Sequence, residues 1–263
     1  MKMFKEGDFV LLIDRKQRKY IIELKKDTFS SFHFGKVQHN DIIGKNPSFI
    51  ESSCGEKLFV LKLTTKDFVL YKLKRKSQII YPKDVGQILV LGDIFNAKSI
   101  LECGCGSGAL TIWLLNAKKD ETKLVSIDCR EDMVELAKKN VEMYFKKPIE
   151  EIKNFVLETK KLEEVDFEEN SFDRIILDVT EPWLYLDKVN KILCCYGIFI
   201  CWLPTVLQVF NLIDEVEKKY PENFYLEEIY ETLQREWQKK QLALRPKDRM
   251  VAHTGFLVVF RKK

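Results

Sequence analysis

A chain of 263 residues, 46% of them hydrophobic, is long enough to bury a full core as one large domain or two unequal ones. The formal net charge of +4 comes from 44 basic and 40 acidic side chains, so charge alone does not indicate a nucleic-acid partner. No apolar run approaches a membrane span and the charged start does not fit a signal peptide, so a cytoplasmic protein is expected.

The sequence before residue 76 contains short β-type runs separated by Gly, Asn, Pro and Asp. These runs are DFVLLI, KYIIEL, SSFHFGKV, SFIES and KLFVLKL. Turn residues at such short intervals are typical of a small antiparallel sheet or barrel. We therefore predict an all-β domain over residues 1–75.

From residue 76 onward, apolar runs with strand character alternate with segments of helical periodicity. This alternation predicts an α/β domain over residues 76–263 with a doubly wound, mostly parallel sheet. The last two apolar segments, FYLEEIYETLQREWQ and GFLVVFRKK, have no helix between them. They predict an antiparallel hairpin at the edge of the sheet.

The segment ILECGCGSGAL, residues 100–110, predicts a strand, a tight turn and the start of a helix. Its glycines at alternate positions, Gly104, Gly106 and Gly108, let the backbone approach a ligand without interference from a Cβ. The N-terminus of the following helix presents N–H groups without intrahelical partners. The loop is therefore a predicted ligand site.

Two ligands remain open for this loop, a dinucleotide and S-adenosylmethionine. The letters GCGSGA satisfy the dinucleotide fingerprint, and Asp128 lies where a ribose-binding acid belongs, so a nicotinamide-dependent dehydrogenase is an alternative. Glu102, near the end of the preceding strand, would repel a pyrophosphate, whereas it suits the cationic amino group or sulfonium of S-adenosylmethionine. We therefore predict S-adenosylmethionine as the cofactor.

Further cofactor contacts are predicted at the carboxyl ends of the strands, where ligands bind in open α/β sheets. Asp128 would accept both ribose hydroxyls, and Met133 would lie against the adenine ring or belong to the core. Glu158 and Thr159 would meet the adenine amino group, unless Glu158 is a solvated acid. Asp178 follows three apolar residues and should emerge near the transferable methyl group. The predicted cofactor set is completed by Gln87, Cys105, Ser107, Ala109 and Leu110.

The seven cysteines are odd in number and form no C-x-x-C pair. This pattern argues against a zinc ribbon and a complete disulfide framework, so no metal site is expected. Basic residues gather in two clusters, which are either solvated faces or a phosphate-binding surface. The first comprises Lys72, Lys74, Arg75, Lys76 and Lys83, and the second Arg235, Lys239, Lys240, Arg245, Lys247 and Arg249.

Seven blocks of the sequence follow one another in a familiar order: QIIYPKD, ECGCGSGAL, LDVTEPW, LPTVLQV, EIYETLQREW, RP and HTGFLVVFR. Through them the chain resembles, almost end to end, the tRNA adenine-N1 methyltransferases that modify the T-loop adenine at position 58. The resemblance implies a small β domain followed by a class I (Rossmann-like) methyltransferase domain, with tRNA as substrate and a homotetrameric assembly. It also implies that Tyr81 holds the target base.

Methylation of adenine N1 needs alignment more than a strong base, because N1 carries an in-plane lone pair at neutral pH. A carboxylate that accepts a hydrogen bond from the adenine N6 amino group would orient N1 and stabilise the cationic product, which is the role predicted for Asp178. The base must also be extruded from the folded T loop, and this requires a phosphate-gripping surface beside the pocket. The neighbouring position 57 is a second candidate acceptor.

Two other functions remain as alternatives. A noncatalytic RNA-binding subunit would need neither an intact glycine loop nor Asp178, and the sequence has both. A methyltransferase for protein isoaspartate or a small molecule would share the loop, but it would not need YPKD or a basic C-terminal hairpin.

Overall fold

The computed structural model describes residues 3–240 and 242–263. Contacts divide the chain into two compact units, one ending at Leu73 and the other beginning at Lys74. The strands of the first unit are β1 (Phe9–Ile13), β2 (Lys19–Glu23), β3 (Phe29–Phe32), β4 (Gly35–Gln38), β5 (Phe49–Glu51) and β6 (Lys57–Lys62). An antiparallel sheet has the order β2-β1-β6-β5, and β3 pairs with β4. The predicted antiparallel β fold is confirmed.

Two local features of the first unit differ from the sequence prediction. The run SSFHFGKV, predicted as one strand, forms the hairpin β3–β4, because Gly35 adopts a φ of +105° that L side chains rarely adopt. The unit also ends in a short helix, α1 (Thr65–Asp67), which continues as a π-helical turn over Phe68–Lys72. Thr64 starts α1 with a capping box, since its Oγ1 accepts from the Asp67 N–H and its own N–H donates to the Asp67 carboxylate.

The second unit contains a seven-stranded sheet in the order β12-β15-β11-β10-β7-β8-β9. Its strands are β7 (Ser99–Cys103), β8 (Lys123–Asp128), β9 (Phe155–Thr159), β10 (Phe172–Leu177), β11 (Leu193–Leu203), β12 (Phe224–Glu231) and β15 (Phe256–Lys262). The five strands from β9 to β11 are parallel, and β15 runs antiparallel between β11 and β12. The doubly wound sheet and its antiparallel edge are confirmed.

Helices connect these strands because their apolar residues recur at helical spacing. They are α2 (Pro82–Leu91), α3 (Ala109–Ala117), α4 (Glu131–Phe145), α5 (Leu186–Ile192) and α6 (Val206–Lys219), with 3-10 turns at Ile94–Asn96, Ile149–Glu151, Leu162–Glu164 and Pro182–Tyr185. The segment LYLDKVNKIL is helical only from Leu186, because the residues before it form the last 3-10 turn. Helix α2 was not predicted from the sequence, although it begins at Pro82, a residue favoured at the first helical position.

A short hairpin, which was not predicted from the sequence, is inserted between β12 and β15. It consists of β13 (Trp237–Lys240) and β14 (Ala243–Pro246), paired antiparallel. We refer to residues 233–253, which contain this hairpin, as the basic arm. Across residues 3–240 and 242–263, no helix combines the length and apolarity needed to cross a membrane.

Candidate functional site

A crevice opens where the carboxyl ends of β7, β8 and β10 meet. It contains two cavities of about 210 Å³ and about 600 Å³. Both are lined by Gly104 after β7, by Asp128 and Arg130 at the end of β8, and by Asp178 after β10. The strands on either side of β7 are reached by connections in opposite directions, and this is where ligands bind in doubly wound sheets.

The glycine loop between β7 and α3 has a backbone that excludes larger residues at two positions. Gly104 has a φ of +88°, and a Cβ there would lie 2.1 Å from the carbonyl oxygen of Asp178. Gly108 has a φ of +78°, and a Cβ there would lie 3.1 Å from the Cα of Ala137 on α4. Glycine therefore lets the loop lie against both the end of β10 and α4. The loop residues that line the smaller cavity are Gly104, Cys105, Gly106, Ser107, Ala109 and Leu110.

Asn140, a buried residue of α4, holds the glycine loop in place. Its Nδ2 donates to the carbonyl oxygens of Ser107 at 2.9 Å and Lys74 at 2.8 Å, and its Oδ1 accepts from the Lys74 N–H at 3.2 Å. The Oγ of Ser107 is buried and has no hydrogen-bond partner among the described residues. Because an unpaired buried hydroxyl is costly, this oxygen is suited to bind a ligand.

Asp128 joins the glycine loop to the end of β8. Its Oδ2 accepts from the Gly106 N–H at 3.0 Å, and its Oδ1 accepts from the Arg130 N–H at 3.0 Å. The Nε of Arg130 lies 3.4 Å from the same oxygen. A carboxylate offers roughly four acceptor positions, so Asp128 retains capacity for a ligand hydroxyl. Its contact with ribose stays a prediction.

Glu102, predicted to contact the cofactor, is only 1% exposed and lines neither cavity. Its Oε2 accepts from the hydroxyls of Thr111 at 2.7 Å and Ser126 at 2.5 Å, while its Oε1 is buried without a partner among the described residues. Burial raises the pKa of Glu102 to about 7, and the two hydroxyls oppose this shift. Glu102 thus connects β7 to β8 and α3, and its contact with a ligand stays a prediction.

Replacing Glu102 with Gln is expected to make stability less sensitive to pH. Between the ordinary pKa of 4.5 and about 7, the folded protein holds a proton on Glu102 that the unfolded chain has released. The stabilisation from that proton is complete below pH 4.5 and is lost as pH rises through 7. From pH 5 to 8, the free energy of unfolding in urea should fall for the wild type by on the order of 2 kcal/mol more than for Glu102→Gln. An equal dependence of the free energy of unfolding on pH in the two proteins would contradict a protonated, buried Glu102.

Asp178 is half-buried at the end of β10 and lines both cavities. Its backbone N–H donates to the carbonyl oxygen of Cys103 at 2.9 Å, which fixes this strand end beside the glycine loop. Burial, followed by the nearby charges of Glu102 and Asp128, raises the pKa of Asp178 to about 7. A cation bound in the crevice would lower that pKa again, so the site favours a positively charged ligand.

The three residues predicted to surround the adenine lie outside both cavities. Met133 is 1% exposed in α4, beneath the glycine loop. Glu158 forms an ion pair with Lys160 at 2.9 Å, and Thr159 lies opposite Asp128 in the pairing of β8 with β9. Their roles toward a ligand stay predictions.

The two predicted residues near α2 are also outside the cavity walls. Tyr81 is half-buried and immediately precedes α2, and Gln87 lies within α2. The segment Ser77–Ile80, which leads directly to Tyr81, does line the smaller cavity. The structure therefore brings Tyr81 next to a cavity-lining segment but not into the wall itself.

Several residues of the site were not predicted from the sequence. They are the cavity-lining residues Ser77, Gln78, Ile79, Ile80, Arg130 and Trp202, and the supporting residue Asn140. Asn140 carries a recognisable signal, because it interrupts the apolar stripe formed by Met133, Val134, Ala137 and Val141 on α4. Trp202 lies within an apolar strand and has no such signal.

The cysteines are free thiols, including Cys103 at the end of β7 and Cys105 in the glycine loop. Burial raises the pKa of Cys103 to about 12 and raises the pKa of Cys105 further. Because the thiolate is the nucleophilic form, neither residue is suited to nucleophilic catalysis near neutral pH. Both thiols are buried, Cys103 at the wall of the larger cavity and Cys105 at the wall of the smaller one.

The basic clusters differ in exposure. The prediction that Lys83 belongs to an exposed basic cluster is wrong, because its side chain is 5% exposed and forms an ion pair with Asp84 at 2.8 Å. Lys76 is exposed and pairs with Asp132 at 2.8 Å, an arrangement that water weakens. The basic arm carries Arg235, Lys239, Arg245, Lys247 and Arg249, whereas the side chain of Lys240 lies outside the described part of the chain.

These groups fit S-adenosylmethionine better than a dinucleotide. The carboxyl group of Asp178 would repel a pyrophosphate and attract a sulfonium or ammonium cation, whereas Asp128 suits the ribose of either cofactor. The first N–H groups of α3 have no partner within the helix, and with Ser107 Oγ they suit the carboxylate of an amino acid.

Two family models match the chain. One is described as tRNA methyltransferase complex GCD14 subunit and matches residues 57–255, and the other as TrmI-like N-terminal and matches residues 3–49. The tRNA (adenine(58)-N(1))-methyltransferase TrmI of Thermus thermophilus is 32% identical over 96% of both chains. The tRNA (adenine(57)-N(1)/adenine(58)-N(1))-methyltransferase TrmI of Methanocaldococcus jannaschii is 27% identical over 96% of this chain and 94% of its own.

Two solved structures resemble the whole chain. The tRNA (m1A58) methyltransferase TrmI of Aquifex aeolicus has a TM-score of 0.82 and 30% identity, covering 100% of this chain and 99% of its own. A structure titled SAM-dependent O-methyltransferase, from Thermotoga maritima, has a TM-score of 0.88 and 30% identity, covering 99% and 94%.

Proposed function

The chain belongs to the tRNA methyltransferase family of GCD14 and TrmI, and on this premise we propose that it transfers a methyl group from S-adenosylmethionine to N1 of adenine 58 in tRNA. The observation that carries the proposal is the match to an adenine-58 methyltransferase over 96% of the chain. A match of this extent includes the β-rich first unit as well as the unit that contains the crevice.

Different residues of the crevice are proposed to bind different parts of the cofactor. The glycine loop, with Ser107 Oγ and the N-terminus of α3, would hold the amino-acid part, and Asp128 would hold the ribose. When bound, S-adenosylmethionine supplies an electrophilic methyl group on a cationic sulfur. Asp178 and Asp128 favour that cation over a neutral ligand, because both carboxylates line the same crevice.

Asp178 is the proposed catalytic residue. Its carboxylate would accept a hydrogen bond from the N6 amino group of the target adenine, which aims the N1 lone pair at the methyl group. As the bond from N1 to the methyl carbon forms and the bond from sulfur to that carbon breaks, positive charge would pass from sulfur to the purine. A fixed carboxylate beside the purine would stabilise that charge. The deprotonated form does this work, and a neighbouring cation lowers the pKa of Asp178 from its value of about 7.

Tyr81 is proposed to hold the extruded adenine, by stacking. This assignment is supported by the position of Tyr81 directly after Ser77–Ile80, which line the smaller cavity. The exposed residues Lys74 and Lys76 and the basic arm would bind the phosphates around the extruded base.

A labelled-cofactor assay tests the proposed function against its alternatives. The protein should methylate bulk tRNA and transfer no label to a peptide mixture or to small phenols, and label transfer should fall when the tRNA has been digested by nuclease. O-methylation is the second candidate, because one similar structure is titled an O-methyltransferase. Label that appears on phenols but not on tRNA would establish that candidate instead. Transcripts with adenine only at position 57 or only at 58 would show which position is used, since one relative is named for both.

We also propose that the protein self-associates as a homotetramer. Three side chains of α6, Val206, Leu207 and Phe210, are 68%, 68% and 64% exposed, and Leu184 in the adjacent 3-10 turn is 63% exposed. An exposed apolar face of this kind is typical of a protein interface. Light scattering should therefore give about four times the chain mass of 31.1 kDa. A monomer at micromolar concentration would contradict the proposal.

A further inference from the structure

A buried polar cluster lies at the start of α2, away from the walls of the crevice. The Nζ of Lys83 lies 2.8 Å from Asp84 Oδ1, 2.7 Å from the Thr232 carbonyl oxygen and 2.5 Å from Thr254 Oγ1. The hydroxyl of Thr254 in turn donates to Asp84 Oδ2 at 2.6 Å. All three N–H groups of the ammonium thus have acceptors, so Lys83 has no donor left for a phosphate.

The cluster connects three parts of the second unit that are distant in sequence. Thr232 directly follows β12 and Thr254 closely precedes β15, so the two residues mark the ends of the basic arm. The sheet already brings these ends together, because Glu231 pairs with Phe256. Lys83 and Asp84 add the start of α2 to the same junction.

Further contacts of His253 and Gly255 lie next to this junction. The Nδ1 of His253 lies 2.7 Å from Glu231 Oε1, and its Nε2 lies 2.8 Å from the carbonyl oxygen of Pro204. A Cβ on Gly255 would lie 2.5 Å from the ring of Trp202, so the backbone next to Thr254 packs against a residue that lines the smaller cavity. The base of the arm is therefore packed directly behind the cavity.

The cluster also fixes the backbone of Tyr81. The carbonyl oxygen of Tyr81 accepts from the Asp84 N–H at 2.9 Å and from the Val85 N–H at 3.0 Å. Asp84 is 1% exposed, and its carboxylate is held by Lys83 and Thr254. Pro82 lies between Tyr81 and Asp84, and its ring restricts its φ. The backbone of Tyr81 therefore has little conformational freedom when Asp84 is held in place.

We infer that Lys83, Asp84 and Thr254 are positioning residues, which fix Tyr81 relative to the base of the basic arm. Buried ion pairs often add little stability compared with apolar residues of similar size, so a specific arrangement is the better account of this one. The cluster connects the base of the arm that is proposed to bind tRNA phosphates to the residue that is proposed to hold the target base. This inference rests on the proposed function, in which Tyr81 holds the adenine.

The test removes a single hydroxyl. Thr254→Val leaves one donor of Lys83 without its hydroxyl acceptor, and Asp84 Oδ2 keeps only the contact with Lys83 Nζ at 3.1 Å. The matched control Thr254→Ser keeps the hydroxyl. At saturating tRNA and cofactor, the single-turnover methylation rate of Thr254→Val should fall by about 10-fold or more, since a buried charged donor without its acceptor is costly and the cluster must rearrange. Thr254→Ser should stay within about 3-fold of the wild type, and cofactor affinity should be unchanged in both, because the cluster lines neither cavity.

A double-mutant cycle with Tyr81→Ala separates positioning from general stability. If Thr254 acts through Tyr81, Thr254→Val should change the rate by less than about 2-fold in the Tyr81→Ala background. The same loss in both backgrounds, or a wild-type rate for Thr254→Val, would overturn the inference. If the valine variant does not fold, Thr254→Cys, which keeps the size with only a weak donor, carries the same cycle. Failure of the wild type to methylate tRNA would instead reject the proposed function.

Discussion

Replacing Asp178 with Ala is expected to slow methyl transfer to tRNA by on the order of 10²-fold or more while cofactor binding survives. The variant loses the proposed acceptor for adenine N6 and the charge that stabilises the cationic product. It leaves the glycine loop and Asp128 unchanged, and the Asp178 backbone N–H can still donate to Cys103. Single-turnover methylation at saturating cofactor measures the first effect, and isothermal titration measures the second.

Glu181 provides a matched control for Asp178. It is another acid that lines the larger cavity, but it is exposed and has no proposed role. Glu181→Ala should methylate tRNA within about 3-fold of the wild-type rate, since an exposed charge contributes little here. If Asp178→Ala were as fast as this control, the catalytic assignment would be wrong, and alignment by Tyr81 would have to account for the reaction.

Replacing Gly104 with Ala is expected to weaken the affinity for the cofactor by about 10²-fold or more. The new Cβ would lie 2.1 Å from the Asp178 carbonyl oxygen, which belongs to the backbone and cannot rotate away. The φ of +88° adds strain of roughly 1 to 2 kcal/mol for any L side chain. The loop must therefore move away from the end of β10, and titration with S-adenosylmethionine should detect the loss.

The matched control for this variant is Gly86→Ala in α2. A Cβ on Gly86 has no atom within 4 Å, so Ala at this helical position should raise stability by about 0.5 to 1 kcal/mol. Its cofactor affinity should equal that of the wild type. Wild-type affinity in Gly104→Ala would mean that the glycine loop is not the cofactor site, provided that thermal unfolding shows both variants to be folded.

The α/β unit was predictable because its signals are local. Strand and helix periods alternate along the sequence, and the glycine loop marks the first turn after β7. The hairpin β13–β14 was missed because WQKK and ALRP carry mostly polar and charged residues, without the apolar alternation of a half-buried strand. The site acids Asp128 and Asp178 were predictable as the residues that end apolar strands.

Burial was harder to predict than position, because it depends on distant parts of the chain. Glu102 and Asp178 both end apolar runs, yet Glu102 is enclosed by Thr111 and Ser126 while Asp178 faces the crevice. In the sequence, Lys83 cannot be distinguished from the surface lysines around it. Its acceptors, Thr232 and Thr254, lie 149 and 171 residues away. No local pattern contains such partners.

The most direct test of the account is to locate the methyl group on the product. The protein should be incubated with S-adenosylmethionine and an unmodified tRNA transcript, and the digested product analysed by mass spectrometry. We expect one N1-methyladenine in the fragment that contains position 58, no methylated product from a transcript with guanine at 58 and 57, and loss of the product in Asp178→Ala. A methyl group on an oxygen, or in a fragment outside the T loop, would contradict it.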